Sequence, residues 1–184
     1  MRLKNLLLIA VMLFTAVGAS AQFHASVRAG ATATTLGEQK LKMGIRAGVG
    51  VEYLFSERWG IRSGLFYTMK GATTATDVFC YDPLETTKLS YLDIPLEAQV
   101  SFGLSQKSRL AVHAGPYLAC LLHSSVPESA GYTIHRMDVG IDVGFDFTIG
   151  HFVIGPEIQY GLTNANKPGS DHNICYAITF GYRF

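Results

Sequence analysis

Residues 138–149 alternate between apolar and polar side chains without a break, and this pattern constrains the fold more than any other feature of the chain. The two sets are Val139, Ile141, Val143, Phe145, Phe147 and Ile149 against Asp138, Gly140, Asp142, Gly144, Asp146 and Thr148. Side chains along a strand point alternately to its two faces, whereas a helix would mix the two sets around its circumference. The segment is therefore predicted to be a β-strand with one apolar and one polar face.

The alternation recurs in seven further segments, so the chain is predicted to contain eight strands. These segments cover residues 23–31, 44–53, 59–70, 91–102, 109–122, 152–160 and 174–184. Short turns near 55–58, 103–108 and 148–150 alternate with long loops near 32–41, 71–88, 123–136 and 161–173. Short turns at one end and long loops at the other are typical of bacterial outer-membrane barrels. The predicted fold class is all-β: an eight-stranded antiparallel transmembrane β-barrel in up-and-down meander order.

The placement of aromatic residues indicates which face of the barrel meets lipid. A soluble, lipocalin-like cup would bury the apolar face and expose the charged one. Here the apolar face carries aromatic residues at the strand ends that the topology assigns to the periplasmic side, namely Phe23, Tyr53, Trp59, Phe102, Phe147, Phe152 and Phe184. Such a ring is typical of the aromatic girdle at a membrane interface. The apolar face is thus predicted to contact lipid and the charged face to line the lumen.

The first 21 residues are predicted to be a secretory signal peptide. Arg2 and Lys4 precede an apolar run from Leu6 to Val17, which is followed by small residues up to Ala21. The run is too short to cross a membrane as a helix, although a retained N-terminal anchor is the alternative. Without Arg2 and Lys4, 15 − 2 = 13 basic residues face 14 acidic ones, so the mature domain 22–184 is near neutral and no nucleic-acid partner is expected.

Three prolines fall inside predicted strands, although a proline cannot donate a hydrogen bond to the strand ladder. They are Pro95, Pro116 and Pro156. Local bulges or gaps in the ladder are expected at these positions.

The order and spacing of several short segments resemble the PorT-like outer-membrane β-barrel family. The segments are Met43 to Gly48 with Glu52-Tyr53, Ser63 to Tyr67 with Lys70-Gly71, Tyr91 to Leu96, Gly115 to Tyr117, Asp138 to Gly140, Tyr160 to Asn164 and Gly181 to Phe184. The resemblance implies a barrel in the outer membrane of a Gram-negative bacterium, with lipid as its surroundings, and implies no single activity. The terminal aromatic residue, Phe184, resembles the signal that the barrel-assembly machinery reads.

The charges on the inward face are the most informative candidate site. They comprise Arg28, Arg46, Arg62, Lys70 and Arg183, with Glu52, Asp93, Glu97, Asp138, Asp142, Asp146 and Glu157. An eight-stranded barrel has room only for its own side chains or one small ligand, and buried charges need partners. We therefore predict one continuous network that plugs the lumen, centred on Arg46, Arg62, Asp93, Glu97, Asp142 and Glu157. The alternative is a narrow ion pathway.

Other residues that could bind a metal, catalyse a reaction or form a disulfide give weaker indications of function. Asp138, Asp142 and Asp146 form a row that could take a cation, but arginines are the expected partners, and the six histidines show no recognised metal spacing. We therefore predict no metal, no cofactor and no catalytic set. A rim hydrolase built on His123, Ser124, Ser125 and Glu128 lacks any motif around it. Cys80 and Cys175 could form a disulfide, because both lie toward the outer loops, while Cys120 is expected to face lipid.

The predicted function is that of a small outer-membrane barrel with a structural or interaction role. Its long extracellular loops would form the contact surface for a protein or glycan ligand, since loops on a rigid scaffold vary freely. A passive, porin-like channel is the alternative, and an outer-membrane lipid hydrolase is the third hypothesis.

Overall fold

Eight antiparallel strands, joined in sequence order, close into one barrel. The computed structural model describes residues 22–36, 41–73, 86–124, 136–163 and 173–184. The strands are β1 (Phe23–Leu36), β2 (Lys42–Leu54), β3 (Trp59–Thr73), β4 (Thr86–Gly103), β5 (Ser108–Ser124), β6 (Met137–Ile149), β7 (Phe152–Gly161) and β8 (Asn173–Arg183). Pairing of β1 with β8 completes the ring, so the predicted fold class is confirmed. The predicted signal peptide, residues 1–21, lies outside the described residues.

Short turns define one end of the barrel, which we call the turn end. They comprise residues 55–58, 104–107 and 150–151, and the described chain also starts and finishes at this end. In the first turn the amide of Phe55 donates to the carbonyl of Trp59 at 3.1 Å. In the third turn Gly150 has a φ of 61°, a left-handed conformation that glycine adopts without steric cost. The opposite end, the loop end, carries the long connections.

The strands reach further toward the loop end than the sequence predicts. Residues 32–36, 71–73, 86–88 and 123–124 were expected in loops, yet they extend β1, β3, β4 and β5. Main-chain pairing continues here, for example between Thr34 and Lys42 and between Gly71 and Lys88. The reason is that main-chain hydrogen bonds between strands do not require an apolar face. Each strand therefore continues beyond the residues whose alternation predicts it.

The prolines coincide with interruptions of the ladder, as expected. Pairing of β3 with β4 is interrupted between Ser63–Leu96 and Phe66–Asp93, at the level of Pro95. Pairing of β6 with β7 is likewise interrupted next to Pro156, although this residue is paired with β8 on its other side. The missing proline donors therefore leave local gaps without opening the barrel.

The outer face is apolar and the inner face is polar. Large apolar side chains of β6 stay about half exposed on the outside, with Val143 at 50% and Ile149 at 54%, while the charged residues of the same strand are buried inside. Aromatic rings gather at the turn end, where the rings of Phe23 and Tyr53 lie 4.6 Å apart and Tyr182 packs against Phe184 at 5.1 Å. Among the described residues, no helix is long and apolar enough to span a membrane.

Candidate functional site

The lumen is filled by three layers of charged side chains, stacked from the loop end to the turn end. The loop-end tier consists of Arg46, Lys70, Asp93, Asp138, Asp142 and Glu157; the middle tier of Arg28, Arg62, Glu97, His113 and Asp146; the turn-end tier of Glu52, Gln99, Arg109 and Arg183. Strand parity directs all of these side chains inward, because their chain neighbours face the apolar exterior.

Arg46 on β2 is the centre of the loop-end tier. Its Nη1 lies 2.6 Å from Asp93 Oδ2, and its Nη2 lies 2.9 Å from Glu157 Oε1, so one guanidinium joins β2 to β4 and to β7. Nη1 also donates to Thr68 Oγ1 at 2.9 Å, and the guanidinium lies 4.6 Å from the centre of the Phe66 ring. A buried arginine requires such partners, since an unpaired buried charge is strongly destabilising.

Lys70 closes the loop-end tier toward the exterior. Its Nζ lies 3.7 Å from Asp93 Oδ1 and 3.6 Å from Asp138 Oδ2. The ammonium also lies 4.6 Å from the centre of the Tyr117 ring, while the Tyr117 hydroxyl donates to Asp138 Oδ2 at 3.0 Å. Lys70 borders a buried cluster of Leu89, Tyr91, Tyr117 and Ala119, which we call the apolar cap.

The middle tier is built around Asp146 on β6. Arg28 on β1 donates to both of its carboxylate oxygens, each at 2.7 Å, and Arg62 Nη1 donates to Oδ2 at 2.7 Å. Arg62 Nε lies 2.8 Å from Glu97 Oε2, and the Nδ1 of His113 is 2.6 Å from Glu97 Oε1. These contacts join strands on opposite walls of the barrel.

Glu52 holds the turn-end tier together. Its carboxylate accepts hydrogen bonds from Arg109 Nη2 at 2.6 Å, from Arg183 Nε at 3.2 Å and from Gln99 Nε2. Contacts from β2 to β4, β5 and β8 thereby cross the bore. A small pocket between this tier and the middle tier is lined by charged groups that include Arg28, Glu52 and Arg183.

The six residues predicted as the network all lie in the lumen, but they divide between two tiers. Arg46, Asp93, Asp142 and Glu157 belong to the loop-end tier, and Arg62 and Glu97 to the middle tier. Among the described residues no ion pair joins the two tiers, although nitrogen and oxygen atoms of Glu97, His113 and Asp142 lie within 4.8 Å of one another where the tiers meet. The reason is spacing, because inward positions on one strand are about 6.6 Å apart and side chains pair across a level more readily than between levels.

Sequence reasoning left two important residues out of this site. His113 lies deep in the lumen at 2% exposure, and Arg109 clamps Glu52 near the turn end. Both were placed in the fifth strand without a role, because its alternation is interrupted by small residues and a proline. The alternation of faces along the strand could have identified both residues, because positions 109 and 113 share the face of Tyr117, which is also buried.

The remaining predicted residues are only partly described. The thiol of Cys175 points into the lumen at 1% exposure, whereas Cys80 lies outside the described residues, so their disulfide stays a prediction. His123 is exposed at the loop end of β5. Ser125 and Glu128 lie outside the described residues, and the hydrolase geometry is therefore untested.

Comparison with known proteins agrees with this architecture. The chain resembles the solved structure of Ail of Yersinia pestis in complex with the heparin analogue sucrose octasulfate, with 15% identity, a TM-score of 0.50 and coverage of 89% of this chain and 99% of Ail. It also resembles the outer membrane enzyme PagL, with 13% identity, a TM-score of 0.52 and coverage of 86% and 98%. Identities this low indicate a shared fold and nothing more. No curated protein sequence matches the chain.

A family match identifies the class of protein. The sequence model of the outer membrane protein beta-barrel domain matches residues 14–166, most of the chain. The match agrees with the closed barrel, the apolar outer face and the aromatic rings at the turn end, and it places the protein in the outer membrane. The chain belongs to the outer membrane protein beta-barrel domain family.

Proposed function

We propose that this outer-membrane barrel is a closed scaffold, with a structural or interaction role at its loop end, and that it is neither a channel nor an enzyme. One observation supports a barrel with a closed lumen. The charged side chains of the lumen are almost inaccessible to water: Arg46 is 1% exposed, Asp93 0% and Glu97 1%. A water-filled bore would leave the side chains that line it accessible, so this burial supports a plug rather than a pathway.

The apolar cap supports the same proposal from the loop end. Tyr91 is 4% exposed and Tyr117 is 2% exposed, and both rings lie against Lys70. An ion passing this level of the lumen would have to move past the two rings and separate Lys70 from its two carboxylates. Opening that path would leave buried charges unpaired, which costs several kcal/mol.

Planar-bilayer recording tests the closed state. We expect the purified protein to show no reproducible conductance steps, while an Arg46→Ser, Glu157→Ser double variant, which removes two long side chains of opposite charge together, should show small ones. A variant with residues 74–85 replaced by a short Gly-Ser linker should remain silent if the lumen side chains, rather than that connection, block the current. Heat-modifiable migration on gels would verify that each variant is folded.

Stable, ion-selective steps from the unaltered protein would contradict the plug and favour the porin-like channel. Conductance that appears only in the linker variant would show that the loop, and not the charged tiers, closes the barrel.

The interaction role rests on the connections at the loop end. Residues 37–40, 74–85, 125–135 and 164–172 contain Glu38, Asp77, Asp82, Glu85, Glu128 and Asp171 against only Lys40 and Lys167. This acidic balance favours a basic protein partner over a sulfated ligand such as the sucrose octasulfate of the Ail complex. The corresponding measurement is the binding of a basic protein to vesicles that contain the barrel with its loops intact. This binding should weaken as the salt concentration is raised.

Three finer points belong to the same proposal. Within the family, we propose that this protein is PorT-like, because of the order and spacing of the short segments between Met43 and Phe184. Residues 1–21 would be removed on export, so mass spectrometry of the membrane-inserted protein should find Gln22 at its N-terminus. Phe184 would be read by the barrel-assembly machinery of a Gram-negative bacterium; its amide donates to Ala25 at 2.8 Å, and its ring lies on the outer face beside Tyr182.

A further inference from the structure

Three buried side chains with metal-binding chemistry converge where the loop-end and middle tiers meet. Glu97 on β4, His113 on β5 and Asp142 on β6 each offer one ligand atom, and these atoms lie within 4.8 Å of one another. All three side chains are almost inaccessible to solvent. Gly115 is paired with Asp142, so β5 places no side chain between the two carboxylates at this level.

Three atoms of this trio have no hydrogen-bond partner, although all are buried: Glu97 Oε2, His113 Nε2 and Asp142 Oδ1. Glu97 Oε2 lies 2.8 Å from Arg62 Nε, so the other two atoms are the ones without a close charged neighbour. Asp146 Oδ1 lies 3.9 Å from His113 Nε2, which is too long for a hydrogen bond. A buried donor or acceptor that stays unsatisfied costs about 1–3 kcal/mol. A ligand between these side chains would give both atoms a partner.

The charge balance of the lumen points to a cation as that ligand. The ion pairs of the described lumen involve six arginine and lysine side chains and seven carboxylates: Arg28, Arg46, Arg62, Lys70, Arg109 and Arg183 against Glu52, Asp93, Glu97, Asp138, Asp142, Asp146 and Glu157. Asp142 is the surplus carboxylate, because its nearest cationic atom, Arg46 Nη2, is 4.0 Å away. The negative charge without a close partner thus belongs to the same cluster as the imidazole, with an oxygen within 4.8 Å of one ring nitrogen.

We propose that Glu97, His113 and Asp142 form a binding site for one zinc-type divalent ion inside the lumen. One imidazole and two carboxylates suit Zn²⁺, whereas Ca²⁺ and Mg²⁺ prefer oxygen ligands throughout. Other residues already orient the ligands, as metal sites require. Arg62 Nε lies 2.8 Å from Glu97 Oε2, and Gln159 Nε2 donates to Asp142 Oδ2 at 3.0 Å. His113 Nδ1 and Glu97 Oε1 are 2.6 Å apart, so an ion held by both side chains would take the place of this direct contact. The ion would connect β4, β5 and β6 and would join the two tiers.

Zinc retention by the refolded barrel tests the site. The full mature chain is refolded in detergent with a chelator, exchanged into Zn²⁺, desalted and analysed for zinc by atomic emission. We expect one zinc ion per barrel in the unaltered protein and a higher thermal midpoint with zinc than without it, because a ligand that binds only the native state stabilises it. Asp142→Asn and His113→Gln should each weaken zinc binding by more than about tenfold.

The matched control is His151→Gln, which removes an exposed histidine at the turn end and should leave zinc retention unchanged. If the lumen variants fail to fold, the visible spectrum of the unaltered protein loaded with Co²⁺ tests the proposal. Intense bands of a four-coordinate site with a nitrogen ligand would support it. Weak bands of a six-coordinate site would contradict it. Absence of bound zinc, or equal retention by Asp142→Asn, overturns it. So does a thermal midpoint that responds to pH but not to zinc, because a proton on His113 would then balance Asp142.

Discussion

Arg62 shows how completely a single residue in this lumen depends on its surroundings. Its guanidinium is inside the barrel, with Nε on Glu97 and Nη1 on Asp146, both within 2.8 Å. On a protein surface such pairs contribute little, because water solvates each charge almost as well as the partner does. In the lumen, removal of one partner leaves the others buried without compensation, so the cost of a substitution is set by the groups left behind.

We therefore expect Arg62→Met to destabilise the barrel strongly. The methionine keeps part of the apolar stem but leaves the Glu97 carboxylate without its arginine, and the expected loss is about 3–5 kcal/mol. Urea unfolding in detergent, followed by tryptophan fluorescence of Trp59, measures it.

Arg58→Met is the matched control, because Arg58 is exposed in the first turn and a surface change of this kind costs within about 0.5 kcal/mol. Equal stability of both variants would mean that the lumen is hydrated and that its ion pairs are weakly coupled.

At the level of the strands, glycine determines how closely bulky inner side chains can approach the wall. Gly144 on β6 is paired with His113 on β5, and the histidine ring occupies the space that a side chain at 144 would need. A Cβ there would lie 2.6 Å from His113 Cε1 and 2.8 Å from the carbonyl oxygen of Pro156. The imidazole can occupy this level of the bore only because the neighbouring strand presents no side chain.

Gly144→Ala should consequently destabilise the barrel by about 1–3 kcal/mol, the usual cost of overpacking. The same change at Gly103, at the turn end of β4, meets no atom within 4 Å and should be nearly neutral. Chemical denaturation of the two variants under identical detergent conditions provides the comparison. A neutral Gly144→Ala would show that β6 and β7 can separate enough to admit a methyl group.

For the whole molecule, lipid on the outside and charge on the inside are two consequences of one arrangement. The outer face exposes large apolar residues on every strand from β1 to β8. Soluble monomers rarely expose continuous apolar surface on this scale, and a bilayer removes the cost of doing so. The inner face then has to satisfy its charges without bulk water, and the ion pairs of the three tiers do so for most of them.

The apolar outer face, which we call the membrane belt, predicts that the cost of a charged substitution depends on its depth in the bilayer. Val143→Arg, near the centre of the outward row of β6, should cost about 2–4 kcal/mol in lipid vesicles, while Ile149→Arg, at the turn end of the same row, should cost about 0–1 kcal/mol. Reversible folding into vesicles of defined thickness measures both. Similar costs at the two positions would contradict a bilayer centred on this belt.

The sequence alone was sufficient for the parts of the structure that depend on local alternation. Parity along residues 138–149 assigns Asp142 and Asp146 to the lumen and Val143 to lipid, and the count of such segments predicts an even, closed barrel. It was insufficient near the loop end, where β3 and β4 continue through short runs without a clear alternation of apolar and polar residues. There the main-chain ladder, which is indifferent to side-chain type, determines the strand length.

Partners within the lumen were decided only by the tertiary structure. Parity shows that Arg28 and Asp146 are both inside, but they are 118 residues apart and on β1 and β6, so no local pattern relates them. Their contact depends on the register of every intervening hairpin and on closure of β1 against β8. The sequence therefore determined which side chains enter the barrel, while the accumulated register around the closed ring determined which of them meet.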